Sequence, residues 1–334
     1  MTHLAVVQPF PFESDPDAVE ELRASMARDG YFKLDVDKLP WVTDEAGESM
    51  IDSVRRGAKC LLDAGVPSSF LLAYDEPWLL AHQVKELLWM VTGNAQIFDW
   101  YFFYVDPSHP KALSAGWPPH RDRMNADASS FRGDGTPKYC TVWIALSDAN
   151  PENSCLSVVP RGVDPGYLTG DGDTNPLSVI FSKPEAFQAI RALPVPAGSL
   201  ICFSHRLLHW GSKPNPHSQA PPRVALSFAA ASDDFEKPYL DPKYLPKPPL
   251  ELRIGLVCGQ ILAYGMNVDP GKEAAHTYFE AFRTVVQEFN QDFVSKVAAA
   301  RNWLVAKYRE EEAESSDELE MGQEGLDDFM DELG

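Results

Sequence analysis

Lys138-Tyr-Cys-Thr-Val-Trp-Ile-Ala-Leu-Ser-Asp-Ala-Asn-Pro-Glu-Asn-Ser-Cys-Leu-Ser-Val-Val-Pro-Arg-Gly162 reads as two β-rich runs, Lys138–Ser147 and Cys155–Val159, divided by a turn of Asp, Asn and Pro. Similar runs lie on both sides of it: Gln96–Val105 upstream, then Ser199–His205 and Arg223–Ala231 downstream, each bounded by Pro, Gly, Asn or Asp. Short strands with turn signals between them, and no helical periodicity between most of them, indicate an antiparallel sandwich or barrel. Val163–Thr174 and Pro214–Pro222 are too rich in Gly, Asp or Pro for strands. They read as loops, where binding residues tend to sit.

Helical patterns flank this β-rich centre. Asp15–Gly30 opens with acidic residues, places Val19, Leu22 and Met26 at helical spacing and stops at a glycine. Tyr31–Val36 alternates as a strand, whereas Asp44–Ala64 and Pro77–Thr92 read as helices, the second with a broad apolar face. Glu273–Tyr308 carries Ala275, Phe279, Phe282, Val286, Phe289, Phe293, Val297, Ala300 and Leu304 at steps of three or four, which predicts one long or two shorter helices packed on the sheet. The expected organisation is therefore mainly β with flanking helices (α+β), in one domain over residues 1–309. Its helical N-terminal part spans 1–93, its β core about 94–232 and its helical C-terminal part about 246–309. Residues 310–334, made of Glu, Asp and Ser with isolated Leu, Met and Phe, should be disordered.

The chain of 334 residues is 44% hydrophobic and 11% aromatic, enough for a substantial core. Its net charge is −20, and Glu310–Gly334 supplies twelve acidic residues and no Lys or Arg, so residues 1–309 carry only −8. That balance argues against nucleic acid as a partner, since phosphate recognition needs clustered cations. Met1–Phe12 lacks the cationic start and apolar core of a signal peptide, and no apolar run approaches a membrane span of roughly 20 residues, so a cytoplasmic location is expected. The cysteines, Cys60, Cys140, Cys155, Cys202 and Cys258, are odd in number and none are spaced as Cys-x-x-Cys. They suggest buried thiols rather than disulfides or a zinc ribbon.

Chemistry concentrates at Trp117-Pro-Pro-His120-Arg-Asp122-Arg123. The prolines favour an extended backbone, in which His120 and Asp122, two residues apart, project to one face. They supply two of the three ligands of the two-histidine, one-carboxylate triad that holds non-haem Fe(II). A second histidine must come from elsewhere, and Ala197–Asn215 offers two, His205 and His209, which position alone does not separate. Fourteen residues past His209, Arg223 opens a run that places Arg223, Ala225 and Ser227 on one face. A forked cation beside two small side chains leaves a slot that a carboxylate could fill.

His-x-Asp, a long gap, His, and an Arg at the start of the next strand is the order found in 2-oxoglutarate-dependent Fe(II) oxygenases. With the tryptophan-containing run, the Asn153-Ser-Cys-Leu156 turn and Val159-Pro160, the stretch Gln96–Ser232 resembles the phytanoyl-CoA dioxygenase (PhyH-like) family. The chain departs from that pattern at Ser154, where the family has glycine, and at Arg161-Gly-Val-Asp164, where it has Gly-Ser-His after the proline.

The resemblance implies a double-stranded β-helix (jelly-roll, cupin-like) core and a catalytic set of His120, Asp122 and His209 holding the iron, with His205 a neighbour. It further implies Arg223 on the distal carboxylate of 2-oxoglutarate, with Trp143 and Thr141 beside the cosubstrate and Ser227 a weaker contact. The implied cofactors are Fe(II) and 2-oxoglutarate, with ascorbate as an external reductant. The implied partners are O2 and a small-molecule substrate, which is hydroxylated with release of succinate and CO2. Related halogenases replace the carboxylate ligand with Ala or Gly, so an intact Asp122 implies hydroxylation, with desaturation or cyclisation the other outcomes of the same chemistry. Arg121 and Arg123 alternate with the ligands and should point away from the metal. Aromatics in Phe98–Tyr104 occupy both faces of one run, and one face could line an apolar pocket. Two other readings stand beside this one: a non-catalytic metal-binding jelly roll, and an acidic tail whose Leu, Phe and Met dock as a short helix on a protein partner.

Overall fold

The computed structural model describes residues 15–43, 47–108, 117–124, 126–265 and 269–331, with side chains through Glu311. The Met1–Phe12 stretch and residues 332–334 lie outside these. The described chain divides into two compact units, residues 1–248 and 249–334.

In the first unit, α1 (Pro16–Asp29) is capped by the Asp15 side chain on the Ala18 N–H, starts on a proline and ends at Gly30, whose φ of 83° suits a residue without a Cβ. It buries Val19, Leu22 and Met26. Next come β1 (Tyr31–Leu34), α2 (Met50–Asp63), α3 (Glu76–Gln83) and α4 (Lys85–Thr92). The single helix expected over Pro77–Thr92 is thus two, broken at Val84.

The β-rich runs become β2 (Ala95–Val105), β4 (Tyr139–Ala145), β5 (Leu156–Val159), β7 (Leu200–Ser204) and β9 (Arg223–Ala231). Three short strands join them: β3 (Trp117–His120), β6 (Arg191–Leu193) and β8 (Leu208–Gly211). Two turns of helix, α5 (Gly166–Thr169) and α6 (Pro176–Ile180), lie between β5 and β6. Among the described residues, β1-β7-β4-β9-β2 form one antiparallel sheet and β3-β8-β5-β6 another. Period-two alternation turns Trp143 and Ala145 of β4, Ile201 and Phe203 of β7 and Ala225 of β9 to one side, where they pack with Leu156 and Val158 of β5 and Leu193 of β6. The sandwich is the double-stranded β-helix that the resemblance implied.

The second unit is helical: α7 (Leu250–Ala263), α8 (Lys272–Arg283) and α9 (Gln291–Asp331). Leu256, Leu262, Phe282, Phe293, Val297 and Leu304 are buried. Gly255 and Gly259 let α7 approach its neighbours, since a Cβ at Gly259 would fall 2.8 Å from Phe282 and 2.9 Å from Phe293. Helix α9 continues to Asp331, across most of the segment whose composition predicts disorder; that segment has no proline, and its Glu, Ala, Leu and Met are good helix formers.

Candidate metal centre

Strand β3 is short because Pro118 and Pro119 cannot donate to a ladder, and it pairs with β8 in a register that sets His120 opposite His209. The two imidazoles lie 4.3 Å apart, centroid to centroid. Asp122 is not on the strand, as its sequence spacing suggested; β3 ends at His120 and Asp122 sits in the bend beyond it. Its Oδ1 nevertheless lies 3.6 Å from His120 Nε2 and 3.6 Å from His209 Nε2. The three donor atoms lie within 4.8 Å of one another, and they are the one such group among the described residues. Two donors each about 2.1 Å from one ion can be no more than roughly 4.2 Å apart, so both histidine–aspartate separations suit a shared ion.

Backbone carbonyls fix the tautomers. His120 Nδ1 donates to Pro118 O at 2.8 Å and His209 Nδ1 donates to Leu207 O at 3.0 Å, which leaves the Nε2 lone pair of each ring free toward Asp122. Burial pushes the His209 pKa down to about 4, so its ring stays neutral. Burial alone would raise Asp122, but His209, His120, the Thr141 hydroxyl and Arg123 outweigh it and hold the carboxyl below its usual range. The Thr141 hydroxyl, on β4, donates to Asp122 Oδ2 at 2.5 Å.

His205 is not part of the group. It is fully buried, with Nδ1 on Tyr139 O at 2.9 Å and Nε2 2.8 Å from Ser130 Oγ. Arg121 points away from the ligands, as expected, but into the interior. Its guanidinium pairs with Asp164 at 2.5 Å and Asp171 at 2.9 Å and donates to Arg206 O, while Arg206 also pairs with Asp171 at 2.8 Å. Arg123 pairs with Glu236 at 2.6 Å and lies over the Tyr139 ring.

Arg223 opens β9, opposite Val105 of β2, and is 4% exposed. A Cβ built at Gly211 would lie 3.4 Å from Arg223 Nη2. Gly211 is two residues beyond His209 on β8, so the guanidinium occupies the His209 face of that strand, one pleat repeat of about 7 Å along it. No carboxylate reaches Arg223 among the described residues, its Nε has no partner, and burial lowers its pKa to about 10. Phe103 and Trp143 lie under the guanidinium, and Trp143 Nε1 is also buried without a partner. Tyr101 and Phe103, on one face of β2, continue to Trp117, and the Phe203 ring lies 4.4 Å from that of His209, tilted by 51°. The alternation in Phe98–Tyr104 carried a signal for the first two. Nothing in the sequence pointed to Phe203 or Gly211.

A double-stranded β-helix in which two histidines and an aspartate converge on one point defines the class of non-haem iron oxygenases. The phytanoyl-CoA dioxygenase (PhyH) family matches residues 14–225, and the chain belongs to that family. No curated protein matches it significantly. Among solved structures, it is similar to the non-haem α-ketoglutarate-dependent epimerase SnoN from nogalamycin biosynthesis, at 22% identity over 65% of this chain and 82% of that one, with a TM-score of 0.43. EctD from S. alaskensis gives 18% identity over 71% and 85%, with a TM-score of 0.45. AviO1 from Streptomyces viridochromogenes Tue57 gives 17% over 64% and 94%, with a TM-score of 0.43.

The iron and 2-oxoglutarate that the family implies fit the residues present. Neutral Nε2 lone pairs and one ionised carboxylate suit a divalent ion, and an uncompensated buried guanidinium beside a free indole N–H suits a carboxylate. No helix among the described residues is long and apolar enough to cross a membrane.

Proposed function

We propose that the protein is an Fe(II)- and 2-oxoglutarate-dependent hydroxylase of a small-molecule substrate. His120, Asp122 and His209 would hold the iron, and Arg223 the distal carboxylate of the keto acid. With both bound, the centre would couple O2, as oxidant, to the oxidative decarboxylation of 2-oxoglutarate and to substrate hydroxylation, one oxygen atom going to succinate with release of CO2 and the other to a substrate C–H bond. Pro118 O and Leu207 O keep each imidazole presenting Nε2, and Thr141 keeps Asp122 ionised and oriented. Tyr101, Phe103, Trp117 and Phe203 give the site an aromatic wall that limits water around it.

The observation that carries the reading is Arg223: a cation buried without a counter-charge, on the His209 face of β8. A protein that only binds metal has no need of such an anchor, which weighs against the non-catalytic jelly roll. Anaerobic Fe(II) with 2-oxoglutarate should give a weak visible charge-transfer band, and His209→Ala should abolish it. Aerobic incubation with ascorbate and a metabolite mixture should release succinate and give a product heavier by one oxygen. A band that persists in the variant would sink the ligand assignment, and a product formed by loss of hydrogen would replace hydroxylation with desaturation or cyclisation.

A further inference from the structure

Ser154 lies in the turn before β5 with φ 75° and ψ 54°, left-handed values that cost a residue with a Cβ free energy and that glycine adopts freely. It is also 1% exposed, so solvent does not satisfy its hydroxyl. The hydroxyl accepts from Arg223 Nη2 at 3.4 Å, and its own proton finds no acceptor among the described residues. Its Oγ would lie 3.3 Å from a Cβ at Gly211, which puts it over the same bare stretch of β8 as the guanidinium. Three buried donors therefore share one place and lack acceptors: the Ser154 hydroxyl, Arg223 Nε and, under the guanidinium, Trp143 Nε1. Buried donors left without acceptors are costly, and one carboxylate offers about four lone-pair sites to satisfy them.

We propose that Ser154 is a cosubstrate-specificity residue of this chain, donating its hydroxyl proton to the carboxylate held by Arg223. The inference rests on the 2-oxoglutarate reading above and adds to it a donor that a glycine in this turn cannot supply. The left-handed backbone is then retained with a side chain because the side chain binds. Gly211 has the complementary task, since a methyl group there would crowd both Ser154 and Arg223.

The test is calorimetric titration of the full-length Mn(II)-loaded protein, which requires no turnover, with 2-oxoglutarate and with 2-oxovalerate, a keto acid of the same length lacking the distal carboxylate. Ser154→Gly and Ser154→Ala should each bind 2-oxoglutarate about 10-fold more weakly and 2-oxovalerate unchanged, as expected for one hydrogen bond to a charged group. Wild-type affinity for 2-oxoglutarate in both variants, or an equal loss for both keto acids, overturns the role of Ser154 while leaving the oxygenase reading standing. Failure of the wild type itself to bind 2-oxoglutarate overturns both.

Discussion

His205 and His209 stand four residues apart, and burial depresses the pKa of each to about 4, yet they do different work. His209 aims Nε2 at Asp122, whereas both ring nitrogens of His205 are engaged by the fold. A histidine held neutral at about 4 when folded and titrating near 6.5 when unfolded lets the unfolded chain take up the extra proton as pH falls. Stability from His205 is therefore full above about pH 6.5, declines between about 6.5 and 4, and is constant below, a loss on the order of 3 kcal/mol. Urea unfolding from pH 7.5 to 4 should show this slope, and His205→Asn should flatten part of it; an unchanged slope would mean that the ring titrates normally in the fold. The sequence could not choose between these two histidines because both occupy the same short segment between β-rich runs. What separates them is the partner: His120 across the sheet for His209, and the Tyr139 carbonyl and Ser130 hydroxyl for His205, which sits in the turn after β7. Arg223 opened an alternating run whose small neighbours left room for a carboxylate, but its link to 2-oxoglutarate came from the family resemblance and not from its position.

Strands and loops show why Asp122 reaches its place without belonging to β3. Arg121, between the two ligands, ties this segment to the Val163–Thr174 loop through Asp164 and Asp171, and to the β7–β8 turn through Arg206. Removing one member strands charges that have no solvent. Arg121→Met should cost about 3–5 kcal/mol in urea unfolding, and adding Asp164→Leu should return part of that loss. Additive losses would show that the two side chains are not coupled. The long strands were readable because β-branched and aromatic residues run between turn residues. The four-residue or shorter β3, β6 and β8 carry too few positions to show a period, and the proline pair in β3 suggested extension without a ladder. The helix break at Val84 was hidden because Leu79, Leu80, Leu87 and Leu88 are buried on both sides of it and preserve one apolar pattern.

Across the whole molecule, charge and architecture separate. The candidate site residues His120, Asp122, His209 and Arg223 all lie in the unit 1–248, while the acidic excess belongs to the end of the unit 249–334. Deleting residues 310–334 should leave succinate release unchanged, and a fall in rate would assign that segment to the catalytic machinery. The composition that predicts disorder there also suits a solvated helix, which is why net charge alone did not distinguish the two. Within the first unit, His120 and His209 come from β3 and β8 of one sheet, and Asp122 is hydrogen-bonded to Thr141 on β4 of the other. A divalent ion on these three residues would therefore act as a rivet through both layers and hold an edge strand that its prolines leave weakly laced. Mn(II) at 100 times its Kd should strengthen the fold by about 2.7 kcal/mol, read as a rise in Tm that EDTA reverses; an unmoved Tm would mean that the three residues do not hold the ion in the folded chain. The lifetime of the polypeptide, and not merely its rate of turnover, would then follow the supply of metal.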